Sequence, residues 1–468
     1  MHRLARRGVG RIRVLLGCMV FLVFCVSPVA QISDSKYSML MADSLLRYGS
    51  ADLSRYLIPG VQAEVPKSDF QTDRTCRPFE FPDARTYQLG YVRGKVVYCY
   101  PHGSSWLSVP FLALMELGGL SPATPDLRFD LFGEIVTQRL LASLLMAAMT
   151  ILVFEMGSLL LNDRWSVVVA IGFAFGTQVW STATRALWAH TWEIALGGAV
   201  VYLLLRAELY RTGIRPILLA TLLAWMYFVR PTGAIPAVCV AIYIAIFHRR
   251  DLVRLILVGL AWFAAFTIEN LWVTGRLTPL YYIRSDFSWR YPLAGIPGNL
   301  ISPNRGLLVY VPTLFFVTWI LVRYWRAIEL RRLALLALAV TGGILLMVSS
   351  YAVWWGGECY GARFMSDALP WLVMLAILGL NAIPPARRTV RTNPAIALGL
   401  LMLVLSIAIN SVGAISLPTI TWTEDVPFEH AQNILDWSYP QFMAGFTANP
   451  YRTKGSPHPD RIHSGVDR

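Results

Sequence analysis

The chain has 468 residues, of which 56% are hydrophobic and 15% charged, and its formal net charge is +13. A mean hydropathy of +0.51 excludes an ordinary soluble globular protein. Repeated apolar runs of about 18 residues or more instead indicate an all-α membrane protein with several spans. The positive charge does not indicate a nucleic-acid partner, because most of it lies in short arginine clusters between the apolar runs, where it sets topology.

The apolar runs predict about eleven transmembrane helices. Their expected bounds are 14–32, 137–161, 166–184, 190–206, 214–230, 233–248, 253–274, 306–322, 333–353, 366–382 and 395–416. Segment 104–120 is shorter and contains Pro110, so both a span and an interfacial helix fit its length. If this segment does not cross, the N-terminus and the arginine clusters all lie in the cytoplasm. The positive-inside rule therefore predicts a re-entrant or interfacial helix there.

This topology predicts one transmembrane domain at 1–416, which includes a first extracytoplasmic loop at 33–136. A short extracytoplasmic tail follows at 417–468. The first run also fits a signal peptide, although Pro28 stands where a small residue is preferred before the cleavage site. Cleavage there would leave the rest of the topology unchanged.

Two elements are predicted inside the first outer loop. An apolar face recurs at helical spacing and predicts an amphipathic surface helix that ends at Gly49. That face consists of Tyr37, Leu40, Met41, Leu45 and Tyr48. The segment GYVRGKVVYCYPHG alternates around Arg93 and Gly94 and predicts a small hairpin.

Charged side chains crowd the predicted outer ends of the helices. They are Asp34, Arg185, His190, Glu193, Arg230, Glu269, Arg305, Glu358 and Arg363. Basic residues in short outer loops run against the positive-inside trend, so they require a reason. An anion at the outer interface, such as a lipid phosphate, supplies one.

Several segments in chain order resemble the GT-C glycosyltransferases, which use polyprenyl-phosphate sugars and include the protein mannosyltransferases and the aminoarabinose transferases of lipid A. The matching segments are SDSKYSMLMADSLLRYGS, YPHGSSWLSVPFLAL, FGTQVWSTATRALWAHT, RPTG, NLWVTGRLTPL, SPNRGLLVYVP and WWGGECYGARF. They extend over about residues 10–380. Protein mannosyltransferases typically carry a second acid directly after the first, and this chain has Ser35 there, which puts a paired-carboxylate mechanism in doubt.

The resemblance implies a GT-C-like enzyme of the bacterial inner membrane that acts on the extracytoplasmic face. A polyprenyl-phosphate sugar would be the donor and a cell-envelope glycan, lipid or protein the acceptor, with inversion at the anomeric carbon. Asp34 would be the general base, an assistance worth about 10²–10⁴-fold. Arginines suit the departing phosphate because their planar fork stays charged.

The expected site residues fall into two groups besides Asp34. Donor-phosphate binding is expected from Arg185, Arg305 and Arg363, helped by Lys36 and His102. Substrate binding is expected from His190, Glu358, Trp188, Trp354 and Trp355. No cofactor is expected beyond the lipid-linked donor, and a divalent cation stays open because Asp34 with Glu358 makes a weak cation site.

Each of these residues also has a structural interpretation. Asp34 fits the N-cap of a helix beginning near Ser35, since Asp is favoured there. Arg363 fits an arginine that snorkels to the headgroups, or a partner of Glu358. Arg305 fits a loop ion pair with Asp286, His190 an interfacial polar residue, and Trp354 with Trp355 an ordinary aromatic belt.

Two other classes of function stay open at this point. A transporter or flippase of envelope lipids, and a polysaccharide polymerase or ligase, would also place arginines against lipid phosphate. Among the cysteines, Cys76, Cys99 and Cys359 share the outer side, and a Cys76–Cys99 bridge is the favoured pairing. No cysteine pair has the spacing of a zinc site.

Overall fold

A computed structural model describes residues 2–61, 78–80, 85–279, 281, 287–391, 393–426 and 431–451. The described chain is mostly helical, as the apolar runs predicted. The first half contains α1 (His2–Val26), α2 (Ser38–Tyr48), β1 (Pro78–Glu80), β2 (Arg85–Val92), β3 (Lys95–Tyr98), α3 (Gly103–Leu117), α4 (Leu131–Ser158), α5 (Asp163–Phe175), α6 (Ala189–Tyr210), α7 (Pro216–Val229), α8 (Ala234–Phe247) and α9 (Arg249–Thr274). Later helices are Pro292–Ile301, Leu307–Tyr310, Thr313–Tyr324, Arg331–Ser349, Leu369–Ala382, Pro394–Ile415, Pro418–Asp425 and Ala431–Ile434. Short π or 3₁₀ turns lie at Val179–Ala183, Pro231–Gly233, Trp325–Ala327, Arg363–Ala368, Pro385–Arg387 and Gln441–Met443.

Five described helices are long and apolar enough to cross a membrane, so the chain is an integral membrane protein. They are Leu131–Ser158, Arg249–Thr274, Arg331–Ser349, Arg363–Ala382 and Pro394–Ile415. The other predicted spans also coincide with helical segments, but those helices are shorter or carry more charge. The total of eleven spans therefore stays a prediction.

The first loop begins at the end of α1 and returns to the start of α4, on the same side of the helices. Near one end of the α1–α4 pair, Arg13 Nη2 donates to Glu155 Oε2 at 2.9 Å. At the other end, Gln138 Nε2 donates to the carbonyl of Ser35 at 2.9 Å. The two helices are therefore antiparallel, and α4 starts where α1 stops. This arrangement is the one expected if segment 104–120, which forms α3, does not cross the membrane, and that expectation stays a prediction.

The predicted helix after Asp34 forms as α2, but its predicted surface position is wrong. It ends at Gly49, whose φ of 61° is left-handed and favours glycine. Residues 38–45 are all buried. Leu40 and Met41 pack with the strands, whereas Met39 and Ala42 pack against α3 and α4. The helix is enclosed because the rest of the loop folds over the face that the sequence left for solvent.

The predicted hairpin is confirmed. Strands β2 and β3 pair antiparallel, with Val92 opposite Lys95. Arg93 and Gly94 have φ values of 53° and 77°, as a two-residue primed turn requires. Strand β1 pairs on the other side of β2. Cys76 lies outside the described residues, so its bridge to Cys99 stays a prediction.

A separate aromatic cluster joins the tail to the rest of the chain. Trp354 and Trp355 pack there with Trp422 and Tyr439. The amide of Gln441 donates to the carbonyls of Cys359 and Thr419 at 3.0 and 3.1 Å. The described part of the tail is thus held against loop 354–359. The domain division at residue 416 stays a prediction.

Candidate active site

Asp34 lies just beyond α1 with its side chain 27% exposed. Its Oδ2 accepts a hydrogen bond from Arg363 Nη1 at 2.9 Å. Its Oδ1 accepts from the hydroxyls of Tyr100 at 2.9 Å and Tyr87 at 3.2 Å. The Tyr98 hydroxyl donates to the backbone carbonyl of Asp34 at 2.5 Å. One cation and two phenols therefore hold the carboxylate in a fixed orientation.

The tyrosines around Asp34 are delivered by the hairpin, and the sequence had assigned none of them a role. Burial raises the pKa of Tyr87, Tyr98 and Tyr100, and the negative charge of Asp34 adds to the effect. All three phenols therefore stay protonated and can donate. The sequence signal for Tyr98 and Tyr100 was the alternation of the predicted hairpin, which indicated no partner for either residue.

Asp34 does not cap α2. Glu134 takes that position, because its Oε1 and Oε2 accept from the backbone N–H groups of Met39 at 3.0 Å and Leu40 at 2.9 Å. Glu134 is fully buried at the start of α4. The structural interpretation of Asp34 as a helix cap is therefore wrong. The carboxylate of Asp34 is therefore available to a ligand in the cleft.

Asp34 lies on a narrow, partly open cleft that is lined by five separate parts of the chain. The lining residues are Asp34, Ser35 and Ser38; Tyr98, Tyr100, Pro101 and Ser104; Leu187, Trp188 and Ala189; Val229, Arg230 and Pro231; and Tyr281. Trp188 and Arg230 line the cleft together with Asp34. A carboxylate, a guanidinium and aromatic rings thus surround one opening, which is a chemically suitable place for a polar ligand.

Arg363 joins Asp34 to the wall of the cleft. Its Nη2 donates to the carbonyl of Gly356 at 2.5 Å, and its Cζ lies 4.3 Å from the centroid of the Trp188 ring. Its buried Nε has no hydrogen-bond partner among the described residues. The sequence had named Arg363 and Trp188, and the structure brings both to Asp34.

A buried polar cluster supports the same wall. Asp367 Oδ2 accepts from Arg230 Nε at 2.8 Å and from the Thr232 hydroxyl at 2.7 Å. Asp367 Oδ1 lies 2.7 Å from His190 Nδ1. Among the described residues, no hydrogen bond reaches the other two nitrogens of Arg230. The sequence had listed Arg230 among the outer charges without a site role, and it missed Asp367, because an aspartate at the start of a span carries no motif.

Two of the predicted arginines are engaged elsewhere. Arg185 donates to the carbonyls of Phe24 at 2.7 Å and Ser27 at 3.0 Å, at the end of α1. Arg305 donates to the carbonyls of Trp355 at 2.9 Å and Gly357 at 3.0 Å, and to Gln441 Oε1 at 2.7 Å. Both guanidiniums are buried among neutral oxygens, and neither lines the cleft of Asp34.

The remaining predicted residues do not line the cleft. Trp354 and Trp355 belong to the tail cluster, and Glu358 is exposed. Lys36 Nζ lies 5.0 Å from the centroid of the Tyr37 ring. Burial lowers the pKa of Lys36, and the charge of Glu134 opposes that effect.

His102 connects α9 with the hairpin. Its Nδ1 lies 2.6 Å from Glu269 Oε1, and its Nε2 lies 3.0 Å from the carbonyl of Tyr98. Although burial acts against it, the Glu269 carboxylate and these hydrogen bonds raise the pKa of His102. His102 thus fixes the strand whose Tyr98 holds the backbone of Asp34.

The described residues contain no group of three or more His, Cys, Asp or Glu side chains placed to hold a metal ion. The question of a divalent cation therefore stays where the sequence left it.

No family model matches the chain, and no curated protein matches its sequence. Among solved structures, the chain is similar to ArnT from Cupriavidus metallidurans in the apo state, with a TM-score of 0.48 and 13% sequence identity. The match covers 94% of this chain and 76% of that chain. A likeness at this level carries no functional argument, so the chemistry has to come from the site.

Proposed function

We propose that this chain is a GT-C-type glycosyltransferase that moves a monosaccharide from a polyprenyl-phosphate donor to a cell-envelope acceptor. The observation that supports it best is the carboxylate of Asp34, paired with Arg363 at 2.9 Å on a cleft that Arg230 also lines. Acid and cations at one opening suit a reaction that removes a proton from one substrate and releases phosphate from the other.

Five of the seven segments that carry the resemblance meet at this cleft, although they are far apart in the chain. Asp34 comes from the first segment, Tyr100 from YPHG, Trp188 from RALWAHT, Arg230 from RPTG and Arg363 from GARF. Four of these five residues line the cleft, and Arg363 is bonded to Asp34. Their convergence supports a common role in substrate handling.

In the proposed reaction, the acceptor hydroxyl or amine attacks the anomeric carbon of the donor sugar while Asp34 takes its proton. The bond from that carbon to the phosphate oxygen breaks, its electron pair leaves with the phosphate, and the configuration inverts. Arg363 orients Asp34, and the two unbonded nitrogens of Arg230 receive the phosphate. Arg185 and Arg305 would contribute by fixing the end of α1 and loop 354–357.

The cleft is proposed to face the extracytoplasmic side of the bacterial inner membrane. It forms from the end of α1, the start of α6, the end of α7 and the start of the span at Arg363–Ala382. The arginine clusters lie at the opposite ends of these and neighbouring helices, at 3–13, 206–215, 249–254, 323–332 and 387–391. The positive-inside rule then places the clusters in the cytoplasm and Asp34 outside.

A transfer assay tests this proposal. Purified protein in lipid is given polyprenyl phosphate carrying a radiolabelled sugar together with envelope acceptors, and label on the acceptor is counted. Asp34→Asn is expected to lower the rate by about 100-fold or more, because the amide cannot take the proton. Asp52→Asn is the matched control, since Asp52 lies in the same loop, accepts from Ser54 N–H at 2.9 Å and does not line the cleft.

The alternatives give different results in the same preparation. A transporter or flippase would move the unaltered lipid across sealed vesicles, and Asp34→Asn would leave that movement intact. A polymerase or ligase would transfer preassembled oligosaccharide but no single sugar. Wild-type rates of monosaccharide transfer by Asp34→Asn would refute the assigned base.

A further inference from the structure

We infer that Ser35, Ser38 and Ser104 form a subsite for the hydroxyl groups of a neutral monosaccharide. This inference rests on the proposed function and specifies its donor. The three side chains are 3%, 1% and 5% exposed. All three line the cleft of Asp34, and none of their hydroxyls has a hydrogen-bond partner among the described residues.

Unpaired buried hydroxyls are costly, because each loses its hydrogen bonds to water and gains none in the protein. Most buried polar atoms in native proteins therefore have a partner, and a group of exceptions on one wall requires an explanation. A ligand rich in hydroxyls supplies it, since each serine can both donate and accept. The three serines come from two segments, the one that carries Asp34 and the first turn of α3.

Trp188 adds a fourth unpaired polar atom to the same cleft. Its indole Nε1 is buried and has no hydrogen-bond partner among the described residues. Because this N–H can only donate, it needs an acceptor oxygen. A sugar hydroxyl can accept this hydrogen bond, and other sugar hydroxyls can pair with the serine hydroxyls.

The charges of the cleft favour a neutral sugar over an amino sugar. Asp34 is the only acid among the described lining residues, and it is already paired with Arg363. A cationic amino group would therefore meet Arg230 and Arg363 without an unpaired carboxylate to stabilise it. A sugar carboxylate would compete with phosphate for Arg230.

Steady-state transfer with two donors tests the inference. Polyprenyl phosphate is loaded with a neutral hexose or with the corresponding amino-deoxy hexose. The wild-type protein is expected to prefer the neutral donor by about 10-fold or more in kcat/KM. Ser35→Ala, Ser38→Ala and Ser104→Ala are each expected to raise the donor KM about 3- to 10-fold. If the donor sugar lacks the hydroxyl that one of these serines binds, the wild type and the alanine variant of that serine should bind the donor equally.

Ser105→Ala is the matched control. Ser105 follows Ser104 in α3, is 0% exposed, and also has an unpartnered hydroxyl among the described residues, but it does not line the cleft. It is expected to keep the wild-type KM. The melting temperatures of the three cleft variants should equal or exceed that of the wild type, because each change removes an unpaired buried hydroxyl.

The outcomes separate this inference from the proposed function. Transfer of no sugar by the wild type would refute the function itself. Three results would overturn the subsite and leave the function standing. The first is transfer with unchanged KM in all three cleft variants, and the second is a preference for the amino sugar. The third is a rise in KM that is accompanied by lower melting temperatures.

Discussion

Arg363 and Arg305 are two buried guanidiniums with opposite surroundings. Arg363 donates to the carboxylate of Asp34, whose side chain is 27% exposed at a cleft. The side-chain hydrogen bonds of Arg305 go to neutral oxygens, the backbone carbonyls of loop 354–357 and the Gln441 amide among them, and its Cζ lies 5.7 Å from the centroid of the Trp422 ring. Arg363 thus lies beside an open cleft, whereas Arg305 belongs to a closed packing cluster.

The difference teaches how to recognise a chemical role for a buried arginine. A guanidinium that is surrounded by carbonyl oxygens is stabilised by the local fold and binds loops together, as Arg185 also does at the end of α1. A guanidinium that meets a carboxylate beside a cleft orients a group that a ligand can reach. Sequence alone lists both as outer-face arginines.

The largest expected effect comes from replacing Arg363 by glutamine and comparing it with the same change at Arg305. Arg363→Gln should lower sugar transfer by about 100-fold or more, because Asp34 loses the cation that orients it. Arg305→Gln should keep most activity in the folded fraction but lower the melting temperature by about 3–6 °C, because several carbonyls lose a buried donor. Transfer rates and melting curves in the same detergent measure both. Equal loss of activity in the two variants would break the comparison.

A smaller effect is expected at Asp367, which positions Arg230 without lining the cleft. Asp367→Asn weakens the bond to Arg230 and should lower kcat/KM by about 10-fold, mainly through the donor KM. Inhibition by polyprenyl phosphate alone should weaken in parallel, which a purely structural role would not cause. Asp251→Asn, at the opposite end of the molecule, is the control. An unchanged inhibition constant would show that Arg230 does not meet the phosphate.

The smallest effect concerns pH and stability at His102. Although burial acts against it, Glu269 raises the pKa of His102 above its ordinary value of 6.5, so the folded state binds the proton more tightly than the unfolded state. This stabilisation is fully present below about pH 6.5 and is lost as the pH rises through the higher folded value. His102→Gln should therefore lower the melting temperature by about 1–3 °C at about pH 6 and by less near pH 9.

Glu269→Gln should remove the same pH dependence, because it removes the charge that raises the pKa of His102. A constant difference between wild type and His102→Gln across this range would show that the pair does not titrate on unfolding.

The sequence predicted part of the site well. The hairpin, the end of α2 at Gly49 and the return of the first loop follow from alternation, glycine conformation and charge placement, all of which are local. Asp34, Arg363 and Trp188 were named in advance and meet in the structure. Tyr87, Asp367 and Glu134 were missed, because none lies in a recognisable motif and each acquires its partner from a distant segment.

By itself, the sequence determined that this is a helical membrane protein, because hydropathy acts segment by segment against a bilayer. Only the tertiary structure decided which guanidiniums face a carboxylate and which face carbonyls. It also enclosed α2, which the sequence placed on a surface. Those outcomes depend on which distant groups share a buried space, since a buried charge or hydroxyl takes whatever partner the packing brings within hydrogen-bonding distance.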